Sequence, residues 1–115
     1  MIDFACKRFR MDDIIKCGLG LTRTEHKIFE HFVENDETEF TTKQMANSLN
    51  LNLTTVQKAV KKLTEHKVIL RHQINLENGG YMFTYQAIPK PEIREILKNL
   101  IRNWESEVEK HIDRW

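Results

Sequence analysis

The chain is poor in the residues that usually mark catalytic loops, metal sites and disulfide frameworks. Its 115 residues hold only four glycines, two prolines and two cysteines. No run of 18 apolar residues occurs, so no segment reads as a membrane-spanning helix, and no signal peptide is expected. Two of the glycines form the pair Gly79-Gly80 within a strand-rich stretch, which leaves no glycine-rich phosphate loop ahead of a helix. No serine sits in a nucleophile elbow, and no carboxylate pair occupies an otherwise apolar face. An enzyme is therefore not expected. Cys-x-x-Cys and His-x-x-x-His are absent, and His26 and His31 stand five residues apart on the polar or boundary face of their segment. Neither a metal nor a cofactor is expected from these spacings. Cys6 and Cys17, without a secretory signal, point to a reducing cytoplasm. Lys7, Arg8 and Arg10 would lower the pKa of a reactive Cys6, but inert small core residues are the plainer expectation for both cysteines. The triplet Asn52-Leu53-Thr54 then reads as a helix cap and not as a glycosylation signal.

The information lies in residues 41–89. Thr41 and Gln44 can form a reciprocal cap for a short helix whose buried face carries Met45, Ala46 and Leu49. The turn Asn50-Leu51-Asn52 follows, with Asn50 suited to a left-handed backbone, Leu51 directed to the core and Asn52 able to cap the next helix. From Leu53 to about His66, Val56, Ala59, Val60 and Leu63 form one apolar stripe. The opposite face presents Thr54, Gln57, Lys58, Lys61 and Lys62. Two β-rich runs, 69–75 and 81–87, flank Asn78-Gly79-Gly80 and predict a hairpin. The order of these parts is a helix-turn-helix with a wing. The expected class is mainly α with a small β-hairpin (α+β).

Net charge divides unevenly along the chain. Residues 41–72 carry six basic side chains against Glu65 alone, whereas residues 22–40 carry two basic against six acidic. Positive charge thus gathers on the element that would meet phosphate. The helix before the motif opens at Thr22 with Glu25 as its capping partner. It buries Ile28, Phe29, Phe32 and Val33, and the acidic stretch Glu34 to Glu39 leaves it as a loop.

The segment Ser48 to Leu63, with its Leu-Asn-Leu-Asn-Leu-Thr-Thr-Val-Gln-Lys core, resembles the recognition-helix region of MarR-type and TrmB-type regulators. Leu19-Gly20-Leu21-Thr22-Arg23-Thr24-Glu25 resembles the opening of the TrmB-like domain, common among archaeal regulators. Lys67-Val68-Ile69-Leu70-Arg71 falls where such proteins begin the wing. The resemblance covers residues 19–88 and departs at Asn50 and Lys67, where these families usually carry Gly. It implies a dimeric DNA-binding transcription regulator.

Residues expected at DNA are Thr42, Lys43, Asn52, Leu53, Thr54, Thr55, Gln57, Lys58, Lys61 and Lys62, with Arg71, His72 and Asn78 from the wing. The lysines and Arg71 would neutralise phosphates, and Leu53, Thr54, Thr55 and Gln57 would meet base edges. Gln suits adenine, and Thr or Leu the thymine methyl, so an A·T-leaning half-site is expected. Pro91 starts a last helix whose stripe Ile93, Leu97, Leu100, Ile101, Trp104, Val108, Ile112 and Trp115 outruns what so small a domain can cover. A homodimer through this helix is expected, with Trp104 and Trp115 as anchors. The organisation expected is one domain, with an N-terminal extension at 1–18, a winged core at 19–88 and a dimerisation helix at 89–115. Within the extension, Met11 to Lys16 predicts a short helix ending by Gly18, and Phe4, Phe9, Ile14 and Ile15 would dock on the last helix. A crevice beside that helix would admit a small-molecule effector, though no residues announce one. The different class that remains is a winged helix serving as a protein-interaction module in transcription or replication machinery. It would need exposed apolar residues where this second helix shows lysines, and only Leu53 fits it.

Overall fold

A computed structural model describes all 115 residues. Strands β1 (Ile2–Phe4) and β2 (Lys7–Phe9) precede helices α1 (Met11–Leu19), α2 (Arg23–Glu34), α3 (Thr42–Leu49) and α4 (Leu53–Glu65). Strands β3 (Ile69–Asn75) and β4 (Tyr81–Ala87) then form the wing, and α5 (Lys90–Arg114) ends the fold. No helix is long and apolar enough to cross a membrane.

Local chemistry fixes the helix starts. Thr22 Oγ1 accepts from the Glu25 N–H at 3.2 Å while the Thr22 N–H donates to Glu25 Oε1 at 2.8 Å. Thr41 and Gln44 repeat the device at 3.1 and 2.9 Å. Each pair satisfies two backbone donors that a helix start leaves orphaned. Asn52 Oδ1 accepts from the Thr54 N–H at 3.2 Å and opens α4.

Three helices close in one way. Gly20, Asn50 and Lys67 all take the left-handed conformation, with φ of 63°, 53° and 62°. In each case the next residue's N–H reaches back five positions: Leu21 to Lys16 O (2.8 Å), Leu51 to Ala46 O (2.9 Å) and Val68 to Leu63 O (3.2 Å). This is the Schellman closure, and the fully buried Leu63 and Val68 supply its apolar contact. Asn50 and Lys67 hold the backbone that glycine usually holds. Asn tolerates it well and Lys does not.

The core is shared by the three helices of the motif and the base of the wing. Ile28, Phe32, Met45, Val56, Leu63, Val68 and Ile69 are almost completely buried there, and Leu19 joins from α1. β3 and β4 pair antiparallel in the register Ile69↔Ala87 to Asn75↔Tyr81. A bridge from Phe40 to Tyr85 gives β4 a second backbone neighbour beside β3.

The N-terminal region departs from its sequence reading. The hairpin β1–β2, paired Ile2↔Phe9 to Phe4↔Lys7, was not expected in so charged a stretch. α1 passes through Gly18 and ends at Leu19, because Gly20 supplies the left-handed cap. Gly18 instead faces α5, where a Cβ would sit 3.7 Å from Leu100 Cδ1. Ile15 packs against the core, Phe9 and Ile14 are half-buried, and Phe4 is exposed. Cys6 and Cys17 are unpaired and exposed, so neither is the core residue expected. His26 is 6% exposed, and so lies inside the fold and not on a polar face.

α5 divides into two halves. Ile93 is buried, and Ile96, Leu97 and Leu100 are half-buried against the body. Beyond them Ile101, Trp104, Ile112 and Trp115 are exposed, Trp104 to 64%, and Val108 is half-covered. The molecule is correspondingly elongated, 62 × 25 × 25 Å.

The strained helix end yields a prediction. Lys67→Gly relieves the left-handed penalty without removing a buried group, and should raise unfolding stability by about 1 kcal/mol. Urea denaturation of the two proteins reads this directly, and a loss of stability would show that the Lys67 backbone carries no strain.

Candidate nucleic-acid interface

α3 and the turn that ends it set α4 on the surface with one face outward. Val56, Ala59, Val60 and Leu63 point inward, and Thr54, Gln57, Lys58 and Lys61 are exposed. Between this face, the start of α3 and the wing runs an open groove of about 660 Å³. Thr41, Thr42 and Lys43 line it from α3, Leu53, Gln57 and Lys61 from α4, and Arg71, Phe83 and Tyr85 from the wing. Arg71 is held over the Phe83 ring, its guanidinium carbon 4.3 Å from the ring centre. Stacking of this kind orders a long side chain without neutralising it. Tyr81 packs edge-on against Phe83 at 5.2 Å, which steadies the same wing face.

Most of the expected DNA residues surround this groove. Asn52 and Lys58 are exposed beside it and Thr55 is half-buried. Asn78 lies exposed in the five-residue connection between the wing strands, where Gly79 and Gly80 both have positive φ. Two of the expected residues do not join them. Lys62 turns away from the groove and inserts between helices. Its Nζ donates to Glu25 Oε1 at 2.7 Å and to Gly20 O, the carbonyl at the end of α1, at 2.9 Å. His72 lies on the wing face opposite Arg71, because successive strand residues alternate. It faces Glu39 at 3.9 Å, and Thr84 Oγ1 beside it donates to the same carboxylate at 3.0 Å. Gln86 completes that side by donating to Asp36 O at 2.9 Å. The acidic loop therefore holds the back of the wing while the basic residues keep the front.

Glu25 explains why Lys62 is recruited. Burial pushes its carboxyl pKa up, but hydrogen bonds from Lys62 and the Thr22 N–H, with the lysine's charge, outweigh burial and hold it below its ordinary 4.5. A carboxylate already committed to a helix cap needs a cation once it is buried.

Away from the groove, α1 and α2 bring Asp12, His26 and Glu30 together, with one potential donor atom from each within 4.8 Å of the others. The spacing of His26 to His31 concealed this group. Its local partner is Glu30, one turn on, and Asp12 comes from another helix.

The profile of the DnaD N-terminal domain matches residues 9–111. The chain belongs to the DnaD N-terminal domain family. It is 30% identical over 104 residues to the uncharacterised protein MJ1082 of Methanocaldococcus jannaschii, covering 90% of this chain and 84% of that one. It is 27% identical over 108 residues to MJ1503 of the same organism, covering 94% and 80%. Among solved structures it is similar to a possible transcriptional regulator from Methanosarcina mazei. The TM-score is 0.91 at 36% identity, with 100% of this chain and 96% of that chain covered. MepR from S. aureus shares the fold alone, at a TM-score of 0.55 and 12% identity over 90% of this chain and 72% of that one. The winged-helix fold that the sequence resemblance implied is thus shared with these structures, and the family matched is that of the DnaD N-terminal domain.

The ion pair supplies a stability test. Because the Glu25 pKa is depressed by folding, its contribution is present above the ordinary pKa of 4.5 and is lost as pH falls through the lower folded value. Lys62→Met keeps the aliphatic stem but strands the carboxylate, and should cost about 1–3 kcal/mol at pH 7. The loss should shrink as pH falls below 4.5. Chemical denaturation across pH checks it; equal losses at pH 7 and in acid would dismiss the pairing.

Proposed function

We propose that this chain is a sequence-reading regulator of transcription that binds double-stranded DNA as a homodimer. The observation that carries the reading is the groove: a free helix face bearing Thr54, Gln57, Lys58 and Lys61, flanked by Lys43 and Arg71. Similarity to a possible transcriptional regulator over the whole chain supports it. α4 enters the major groove with Leu53, Thr54 and Gln57 toward base edges, and Asn52 and Thr42 near the backbone. Lys43, Lys58, Lys61 and Arg71 neutralise phosphates, and Asn78 meets the duplex from the wing tip. Half-sites lean toward A·T. This is the docking mode that the resemblance to MarR-type and TrmB-type regulators implies.

The outer half of α5 supports dimerisation. Ile101, Trp104 and Ile112 are exposed on a helix that the body covers only as far as Leu100. Large aromatics left in water on one face are strong interface anchors. Two copies joined there would set two α4 helices on a roughly palindromic site, one helical turn apart.

Membership of the DnaD N-terminal domain family also fits a protein-interaction module within transcription or replication machinery. The exposed lysines of α4 favour DNA over that reading.

Fluorescence anisotropy on labelled duplexes decides between them, comparing random DNA with the gene's own upstream region across a salt series. Tighter binding upstream that persists as salt rises supports the regulator. No binding to either duplex at low salt removes it and favours the interaction module. Lys58→Ala and Lys61→Ala should each weaken binding to all duplexes and reduce the salt slope by about one, while Lys62→Met leaves the slope unchanged. Trp104→Ala should shift sedimentation toward the monomer; an unchanged sedimentation coefficient would count against the α5 interface.

A further inference from the structure

We infer that Asp12, His26 and Glu30 form a binding site for a divalent transition-metal ion, with Nε2 of His26 as the nitrogen ligand. His26 is carried inward by α2, and its Nε2 is fully shielded from solvent with no hydrogen-bond partner. Buried ring nitrogens rarely go unpartnered, since the loss of water is then uncompensated. Asp12 Oδ1 stands 3.9 Å from Nε2, beyond hydrogen-bond range. Two ligands of one ion bound at about 2.1 Å sit roughly 3.4 Å apart in a tetrahedral shell, so a small movement of the exposed Asp12 side chain completes the arrangement. Glu30 Oε1 lies 3.4 Å from the other ring nitrogen, Nδ1. Carboxylates beside a ligating imidazole orient the ring and raise its basicity.

The charges around the site point the same way. Asp13, the neighbour of Asp12, accepts from the Arg10 N–H and lies 3.7 Å from Lys16. Asp12 and Glu30 pair with no lysine or arginine, and each faces only His26. Two carboxylates therefore converge on one imidazole, and neither has a lysine or arginine within ion-pair distance. The group opens on a cavity of about 420 Å³ walled by Met11, Ile15, Phe29 and Leu97, with Lys90 and Arg94 across it on α5. An apolar wall strengthens metal–carboxylate attraction, and the open side leaves coordination positions for water. An imidazole and a carboxylate as ligands, with Glu30 steadying the ring and water filling the shell, suit Zn²⁺, Co²⁺ or Mn²⁺ better than the all-oxygen ions. An ion here would cross-link α1 to α2. Since α1 also packs on α5 at Gly18 and Leu100, the site lies where the winged body meets the helix that leaves it.

The test uses the full chain, stripped with a chelator and then titrated with Zn²⁺ by calorimetry and with Co²⁺ by visible absorption. The expected result is one equivalent per chain, a Co²⁺ ligand-field spectrum without a thiolate charge-transfer band, and a raised Tm. The Asp12→Asn/Glu30→Gln double variant, altered at the rim, should keep the metal-free Tm and lose at least about tenfold in affinity. His26→Gln should abolish binding. No saturable binding by the parent chain, a thiolate band from Cys6 or Cys17, or less than about tenfold loss in the double variant would each overturn the assignment. The readouts need no DNA, so they stand whether or not the chain proves to bind it.

Discussion

One ammonium group ties three helices of this protein to one another over their shared core. Lys62 Nζ reaches from α4 to the final carbonyl of α1 and to the carboxylate that caps α2, at 2.9 and 2.7 Å. Three helix ends or faces meet at that atom. The N-cap of α2 needs Glu25, buried Glu25 needs a cation, and the α1 terminus needs a donor. Lys62 meets the last two needs with one side chain and so ties α4, whose apolar face is already in the core, to both α1 and α2.

Features governed by nearest neighbours were legible in the sequence. Both capping boxes, the αL turn at Asn50 and the two wing strands fall where residue chemistry put them, because their partners lie within a few positions. Features governed by distant partners were not. Lys62 carries the same charge as Lys58 and Lys61 and differs only in a partner 37 residues away. His72 sits beside Arg71 in sequence, yet the pleat assigns it to Glu39. Gly18 looked like a helix stop, although the space it leaves is filled by Leu100. The hairpin β1–β2 has only three residues in each strand, too few for alternation to declare itself.

Charge segregation between residues 22–40 and 41–72 also acquires a structural meaning. The acidic loop is a brace for the wing: Glu39 and the Asp36 carbonyl accept from Thr84 and Gln86 on its back face. Acidic side chains there would repel a polyanion approaching from behind, and the basic front remains as the approach that electrostatics favours. The same residues thus support the hairpin and orient the field of the molecule.

The placement of the tryptophans has an optical consequence. Both indoles, Trp104 and Trp115, lie on the exposed outer half of α5, whereas the core is built from Phe, Leu, Ile, Val and Met. Intrinsic tryptophan emission of this protein is therefore nearly blind to melting of its interior. It reports the surroundings of the protruding helix instead, and gives a label-free signal for whatever comes to cover that helix.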